Sequence, residues 1–323
     1  MQTDKPLISI VIAVYEPRMD WLREQLESLN DQTYPNLELI VCDDCSPTVP
    51  HEKISELIAG CITSFKYSII RSESNLGSNN TFELLTREAK GEYIAYCDQD
   101  DIWLPEKLDT LFNAITENNA LLVCSDMYII DENGVKIADS ITEVRKHHVF
   151  RSGEGLAPKL LFSNFVTGCT MLVKTDLAKA AVPFCPYMVH DHWLALFCAD
   201  RGKVISLRDA LIKYRIHDSN QTSVMAGVYD KKSYLQVRII NYLKRMYWLR
   251  DYFQCSRETG EKIIDGIKWL EARKMNMESH RGIRTIWKYR SFSCLPSIFE
   301  IVAAFFPDKL FMFFIELNRK NII

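Results

Sequence analysis

Four short apolar runs, separated by segments with helical spacing, limit what this chain can become more than any other feature. The first, Leu7 to Tyr15, carries no charge and lies between Pro6 and Glu16-Pro17. An apolar run this continuous, and too short for a buried helix, reads as a strand covered on both faces. The second spans Leu37 to Cys42, the third Tyr67 to Ile70 and the fourth Tyr93 to Cys97. Between them, Met19, Leu22, Leu26 and Leu29 recur at helical spacing over 19–31, as do Ile54, Leu57, Ile58 and Cys61. A third helix is expected from about Ser78–Thr81 to Gly91. Strands that alternate with helices predict a parallel, doubly wound α/β sheet with right-handed crossovers. Such sheets bind ligands outside the carboxyl ends of their strands.

Those ends are where the polar residues gather. Strand one leads into Val14-Tyr15-Glu16-Pro17, strand two into Cys42-Asp43-Asp44-Cys45-Ser46, and strand four into Asp98-Gln99-Asp100-Asp101. Three carboxylates within four residues repel one another unless a cation sits among them, and Mg²⁺ or Mn²⁺ suits such hard oxygen ligands. The plainer reading is a solvated acidic turn before a helix, with Pro105 in its first turn. Asp44 is placed to accept the N–H of a pyrimidine base and Tyr15 to flank it; otherwise Asp43-Asp44 is a turn or a helix cap. No GxGxxG and no GxxxxGK follows a strand, which argues against dinucleotide and P-loop folds.

Further strands are expected at Ala120–Ile130, Cys169–Val173 and Leu211–Ile216, a loop over 139–155, and a helix over 188–200 that opens with His190-Asp191-His192-Trp193. From about residue 224 the chain turns to long helical stretches. Near the end, Arg281, Arg284, Lys288 and Arg290 precede two apolar stretches, Ile298–Phe306 and Leu310–Leu317, split by Pro307-Asp308-Lys309. Each is too short to span a bilayer. Basic residues beside an aromatic-rich amphipathic segment suit a helix lying on an anionic membrane surface, and a packed helical hairpin is the other reading.

The net charge of −3 gives no nucleic-acid footprint. Ten scattered cysteines show one CxxC pair, Cys42 and Cys45, without a second pair at zinc-finger spacing. Asp4, Lys5 and Pro6 interrupt any secretory signal, so a reducing cytoplasm is the expected setting.

In the order ISIVIAVYEP, SLNDQTYPNLELIVCDDCS, RSESNLGSNNTF and GEYIAYCDQDDIWLPEKL, these segments resemble the family 2 glycosyltransferases, which have the nucleotide-diphospho-sugar transferase (GT-A) fold. The match covers about the first 110 residues and weakens towards 220. DQDDIW, HDHW and YRIHDSNQTS are similar to members described as bacterial rhamnosyltransferases. The resemblance implies an α/β catalytic domain over 1–223, with a nucleotide-binding half to about 130 and an acceptor half over 131–223. A helical region over 224–323 would follow, its residues 282–323 in peripheral contact with the cytoplasmic face of the membrane.

It implies an inverting transfer from dTDP-rhamnose or a UDP-hexose to a saccharide or lipid-linked saccharide in surface polysaccharide synthesis. Tyr15 and Asp44 would hold the base, with Val14 and Glu16 beside them. Arg71 would lie near the phosphates, Asp98 near the ribose or metal, and Gln99 at the variable middle position of the motif. Asp100 would bind Mg²⁺ or Mn²⁺, with His217 a further metal ligand. Asp101 would support the metal through water or cap the next helix. Asp191 would be the general base. Trp193 would stack on sugar, His190 or His192 would assist, and Arg215 would balance leaving-group charge. The loop Asn220–Gly227 would close over the donor. Arg145, Lys146, His147 and His148 would meet an acceptor phosphate or form a solvated basic loop.

Three rivals are a nucleotidyltransferase, a non-catalytic nucleotide-sugar-binding subunit and a two-carboxylate glycoside hydrolase. The first lacks the Gly-rich loop it needs after strand one. The second is opposed by Asp98, Asp100 and Asp191, and the third would need neither metal nor nucleotide.

Overall fold

The computed structural model describes residues 5–217 and 227–319. The chain forms two compact units. One holds Met1–Leu160, Asn164–Phe184 and Val189–His217; the other holds Leu161–Ser163, Cys185–Met188 and Asp218–Ile323. A domain boundary at 223 falls outside the described residues.

The first unit opens with β1 (Ile8–Val14), α1 (Met19–Asn30), β2 (Leu37–Asp43), α2 (His51–Cys61), β3 (Lys66–Arg71), α3 (Ser78–Glu88) and β4 (Tyr93–Cys97). Then come β5 (Ile102–Trp103), α4 (Lys107–Glu117), β6 (Leu122–Ile130), β7 (Lys136–Ala138), α5 (Ile141–Val144) and α6 (Ala157–Leu160). It closes with β8 (Met171–Lys174), α7 (Thr175–Ala180), α8 (His190–Arg201) and β9 (Val204–Arg215). One sheet runs β3-β2-β1-β4-β8-β6-β9-β5, with β7 added to β6. The strands β3, β2, β1 and β4 are parallel, as the alternating pattern requires. β8 enters antiparallel to both β4 and β6, and β9 returns parallel to β6.

Ile8, Ile10, Ile12 and Val14 are fully buried on one face of β1, and Val11 on the other. Fully burying each such side chain contributes about 1.5–3 kcal/mol. The edge strand β3 needs less covering and is the least apolar of the four parallel strands. Helix α3 ends three residues before Gly91. Two further elements differ from the pattern reading. β5, too short to show a period, separates the acidic motif from α4, and Pro105 precedes the cap residue Glu106. The expected loop over 139–155 contains α5, whose cap Ser140 accepts the Thr142 N–H.

The second unit is helical: α9 (Lys231–Leu235), a π turn (Gln236–Ile240), α10 (Asn241–Tyr252), α11 (Arg257–Ser279), α12 (Ile283–Lys288), α13 (Cys294–Ala303) and α14 (Asp308–Arg319). Its core holds a buried ion pair. Arg273 donates from Nε and Nη2 to the two Glu300 oxygens, and Glu300 also accepts the Tyr234 hydroxyl at 2.6 Å. No helix among the described residues is long and apolar enough to cross a membrane.

Candidate active site

Register brings three strand ends level: Val14 lies opposite Asp43, and Ile12 opposite Cys97. The loops leaving these strands are tied to one another. The Asp44 N–H donates to the Val14 carbonyl at 2.8 Å. Gln99 clasps the Tyr15 backbone, accepting its N–H at 2.9 Å and donating to its carbonyl at 3.1 Å. Glu16 accepts the N–H groups of Thr48 and Val49 and the Thr48 hydroxyl. These bonds, first of all the Thr48 hydroxyl, hold its carboxyl below the usual carboxylate range. Glu16 and Cys45 adopt left-handed backbone (φ 44° and 59°), a conformation costly outside glycine and concentrated at functional loops. The Tyr15 side chain remains exposed above the clasp.

The two acids after β2 take different tasks. Asp43 is fully buried. Burial alone would raise its carboxyl, but bonds from Ser46 and His51 and the Arg71 charge outweigh it and hold the group low. Asp44 accepts the Leu76 N–H (2.8 Å) and the Ser72 hydroxyl (3.0 Å) on one oxygen and the Gly77 N–H (2.9 Å) on the other. The expected base acceptor is thus committed to shaping the 72–77 loop. Leu76 in that loop is exposed, as are Tyr15 after β1 and Arg71 at the end of β3.

The acidic motif divides likewise. Asp100 Oδ2 lies 2.8 Å from His217 Nε2, and both side chains are partly exposed. Asp101 is fully buried and accepts the Arg215 N–H at 3.0 Å. Burial, then the charges of Asp100 and Asp98, push its carboxyl well above the usual value. Asp98 is pushed up to about 7 by burial, with Asp100 and Asp191 adding repulsion. Below them lies Lys107, fully buried, donating to the Cys169 carbonyl at 2.6 Å. Burial lowers its ammonium to about 7.

Carboxylates crowded to this degree, beside an imidazole, fit a divalent cation of the Mg²⁺ or Mn²⁺ type. Asp100 and His217 are the residues that could reach such an ion, both being partly exposed. Asp98, Asp101 and Cys169 also converge, with ligand atoms within 4.8 Å of one another. Burial pushes the Cys169 thiol well above its ordinary value, so it offers no thiolate there.

Asp191 sits in the first turn of α8, a helix buried nearly all round. It accepts the Gly168 N–H and the Asn164 amide, each at 3.0 Å. Burial pushes its carboxyl up to about 6, while bonds from His192, Gly168 and Asn164 and the Arg145 charge pull the other way. A Cβ at Gly168 would stand 2.6 Å from His190 Nε2, so only glycine allows this approach.

Four expected contacts are corrected by burial. Trp193 is 2% exposed and donates its indole N–H to the Ala181 carbonyl, so it has no open face for a sugar. His190 is buried against Phe82 and Tyr96, its ring lowered to about 3 and hence neutral. His192 is buried against the Leu160 carbonyl. The Arg215 guanidinium, 1% exposed, bonds the Asp100, Asp131 and Glu132 carbonyls and pairs with Glu24. It braces the motif from behind. Except for Gly227, the Asn220–Gly227 loop lies outside the described residues. Lys107, Asn164 and Gly168 were not singled out from sequence. Their spacing carries no motif.

Comparisons with known proteins show the family and the fold. The model of Glycosyl transferase family 2 matches residues 9–179. An uncharacterised glycosyltransferase of Methanocaldococcus jannaschii is 29% identical over 240 residues, 72% of this chain and 78% of its own length. The UDP-Glc:alpha-D-GlcNAc-diphosphoundecaprenol beta-1,3-glucosyltransferase WfgD of Escherichia coli is 25% identical over 252 residues, 77% of this chain and 93% of its own. Among solved structures, S. aureus TarS 1–349 in complex with UDP-GlcNAc superposes with a TM-score of 0.58 at 16% identity, covering 92% of this chain and 84% of that one. The Pyrobaculum calidifontis mannosyltransferase PcManGT, in complex with GDP-Man and Mn²⁺, gives 0.56 at 13% identity, covering 92% and 76%. These structures share the GT-A type fold. The family model spans more than half the chain, and the protein belongs to glycosyl transferase family 2.

Proposed function

We propose that this family 2 glycosyltransferase moves a hexose, with inversion, from a nucleotide-diphospho-sugar to a hydroxyl of a saccharide carried on a lipid diphosphate. The observation that carries the reading is the meeting of two ends of the site. Gly168, whose N–H holds Asp191, is followed directly by Cys169, whose sulfur gathers with Asp98 and Asp101 within 4.8 Å, which supports a base next to the acidic motif. Tyr15, Leu76 and Arg71 form the nucleotide end, and Asp98 faces the ribose. Asp100 and His217 would hold Mg²⁺ or Mn²⁺, which when bound offsets the diphosphate charge. Asp191 takes the acceptor hydroxyl proton as that oxygen bonds to the anomeric carbon. The bond from that carbon to the diphosphate breaks, and its electron pair leaves with the phosphate.

The Arg145 charge reaches Asp191, which supports reading the basic loop as part of the acceptor side, where a diphosphate-bearing acceptor would need it. The E. coli relative is named for such an acceptor and for UDP-Glc, so UDP-hexoses come first as donors and dTDP-rhamnose next. The acceptor's lipid would keep the enzyme on the cytoplasmic face of the membrane. Exposed Ile283 and Trp287 on α12, Leu295, Ile298 and Val302 on α13 and Phe313 on α14 supply an apolar face, with Arg284 and Lys288 exposed beside it.

The test is calorimetric binding and turnover of UDP-glucose, UDP-GlcNAc and dTDP-rhamnose, with and without Mn²⁺. One donor should bind in a metal-dependent manner, and Asp100→Ala should lower its turnover by about 100-fold. Binding without turnover would instead mark a nucleotide-sugar-binding subunit.

A further inference from the structure

Asp191 is oriented from a single turn. Gly168 N–H donates to Oδ2 and Asn164 Nδ2 to Oδ1, both at 3.0 Å. The Asn164 amide can point only one way. Its Oδ1 accepts the Val166 N–H at 3.0 Å, so that atom must be the oxygen and the nitrogen must face Asp191. Two donors four residues apart therefore grip different oxygens of one carboxylate, fixing both its plane and the lone pairs left for a substrate. Asn164 is exposed, and its bond to Val166 stays within the turn, so it contributes little to the core.

We propose that Asn164 is a positioning residue that orients the Asp191 carboxylate for proton abstraction. This rests on the reading of Asp191 as the base. A hydrogen bond to a carboxylate also favours its ionised form, and here it works against burial. The titratable groups acting on Asp191 are Asp98 after β4, Arg145 after α5, Cys124 in β6 and His190 on its own helix. His190 is neutral in the working range, Cys124 is raised to about 12, and Asp98, raised to about 7, titrates alike in every variant.

The experiment compares full-length wild type, Asn164→Ala, Asn164→Asp and Asp191→Asn between pH 4.5 and about 9. One readout is thermal stability against pH; the other is transfer from UDP-glucose to a GlcNAc-diphospho-lipid. In Asn164→Ala the Asp191-linked step in stability and the acid limb of kcat/KM should both move up by about one pH unit. The plateau should fall about ten-fold. In Asn164→Asp two carboxyls about 3 Å apart cannot both ionise, and the limb should move further. UDP affinity with Mn²⁺ should stay within about two-fold, since hydrogen-bond losses at one site rarely reach another. Both steps staying at the wild-type pH in both Asn164 variants, while Asp191→Asn loses its step, would overturn the proposal and leave Asn164 a turn former. Full turnover by Asp191→Asn would remove the base itself, a separate and recognisable failure.

Discussion

Asp191 illustrates how one residue's setting becomes a measurable property. Its carboxyl ionises near 6 in the fold and near the ordinary 3.8 when unfolded. Between those values the folded state binds the extra proton, so stability falls as pH rises from about 4 to 6 and is lower by up to about 3 kcal/mol above that window. Asp191→Asn removes the proton equilibrium. Thermal melts should show the slope in wild type and not in the variant, and a variant that keeps the slope would assign it elsewhere. As a base, Asp191 must be ionised. Wild-type kcat/KM should therefore rise with pH to a plateau, with an inflection near 6, and Asp191→Asn should lower it by about 10²–10⁴. At this scale sequence reading was uneven. Asp98 and Asp100 were marked by their place after a strand, and Asp191 and His217 by the family resemblance. Trp193 and Arg215 were given roles at the site, although their side chains turn into the protein. A residue type shows what chemistry is available, but the direction of its side chain depends on packing from elements far along the chain.

The helices of the C-terminal unit carry the clearest element-scale consequence. On α13, Leu295, Ile298 and Val302 share one stripe at spacings of three and four, and all are exposed. Ser297, Glu300 and Ala303, on the opposite side, are buried. The helix thus turns polar and small residues inward and its apolar stripe outward, the reverse of the usual arrangement. With Arg284 and Lys288 near Trp287, such a surface fits anionic lipid. Co-sedimentation with vesicles containing phosphatidylglycerol should exceed that with neutral phosphatidylcholine vesicles, weaken in salt and fall at least about five-fold in a Leu295→Ser, Trp287→Ser double variant. Equal partition to both vesicles, or self-association without lipid, would point to a protein partner. The helices themselves were legible from period and charge. Their exposure was not, because an amphipathic pattern shows one buried side and cannot say what the other side meets.

Across the molecule, two units with separate cores imply separable unfolding. Calorimetry should resolve two transitions. UDP with Mn²⁺ should raise only the one belonging to the sheet unit, by about 2.7 kcal/mol of apparent stability at a hundred-fold excess over Kd, and EDTA should reverse it. A single transition that shifts as a whole would mean that the units fold as one. The sequence by itself determined the parallel half of the sheet, since β1, β2 and β4 are covered on both faces and write their burial into contiguous residues, while the edge strand β3 keeps a shorter apolar run. It also determined where the chemistry gathers, since strand ends are sequence landmarks. Only the tertiary structure decided the antiparallel insertion of β8, the clasp of Gln99 on Tyr15, the commitment of Asp44 to its loop, and the turn that grips Asp191. Each of these depends on hydrogen bonds between residues about 25 to 85 positions apart, where local periodicity carries no information.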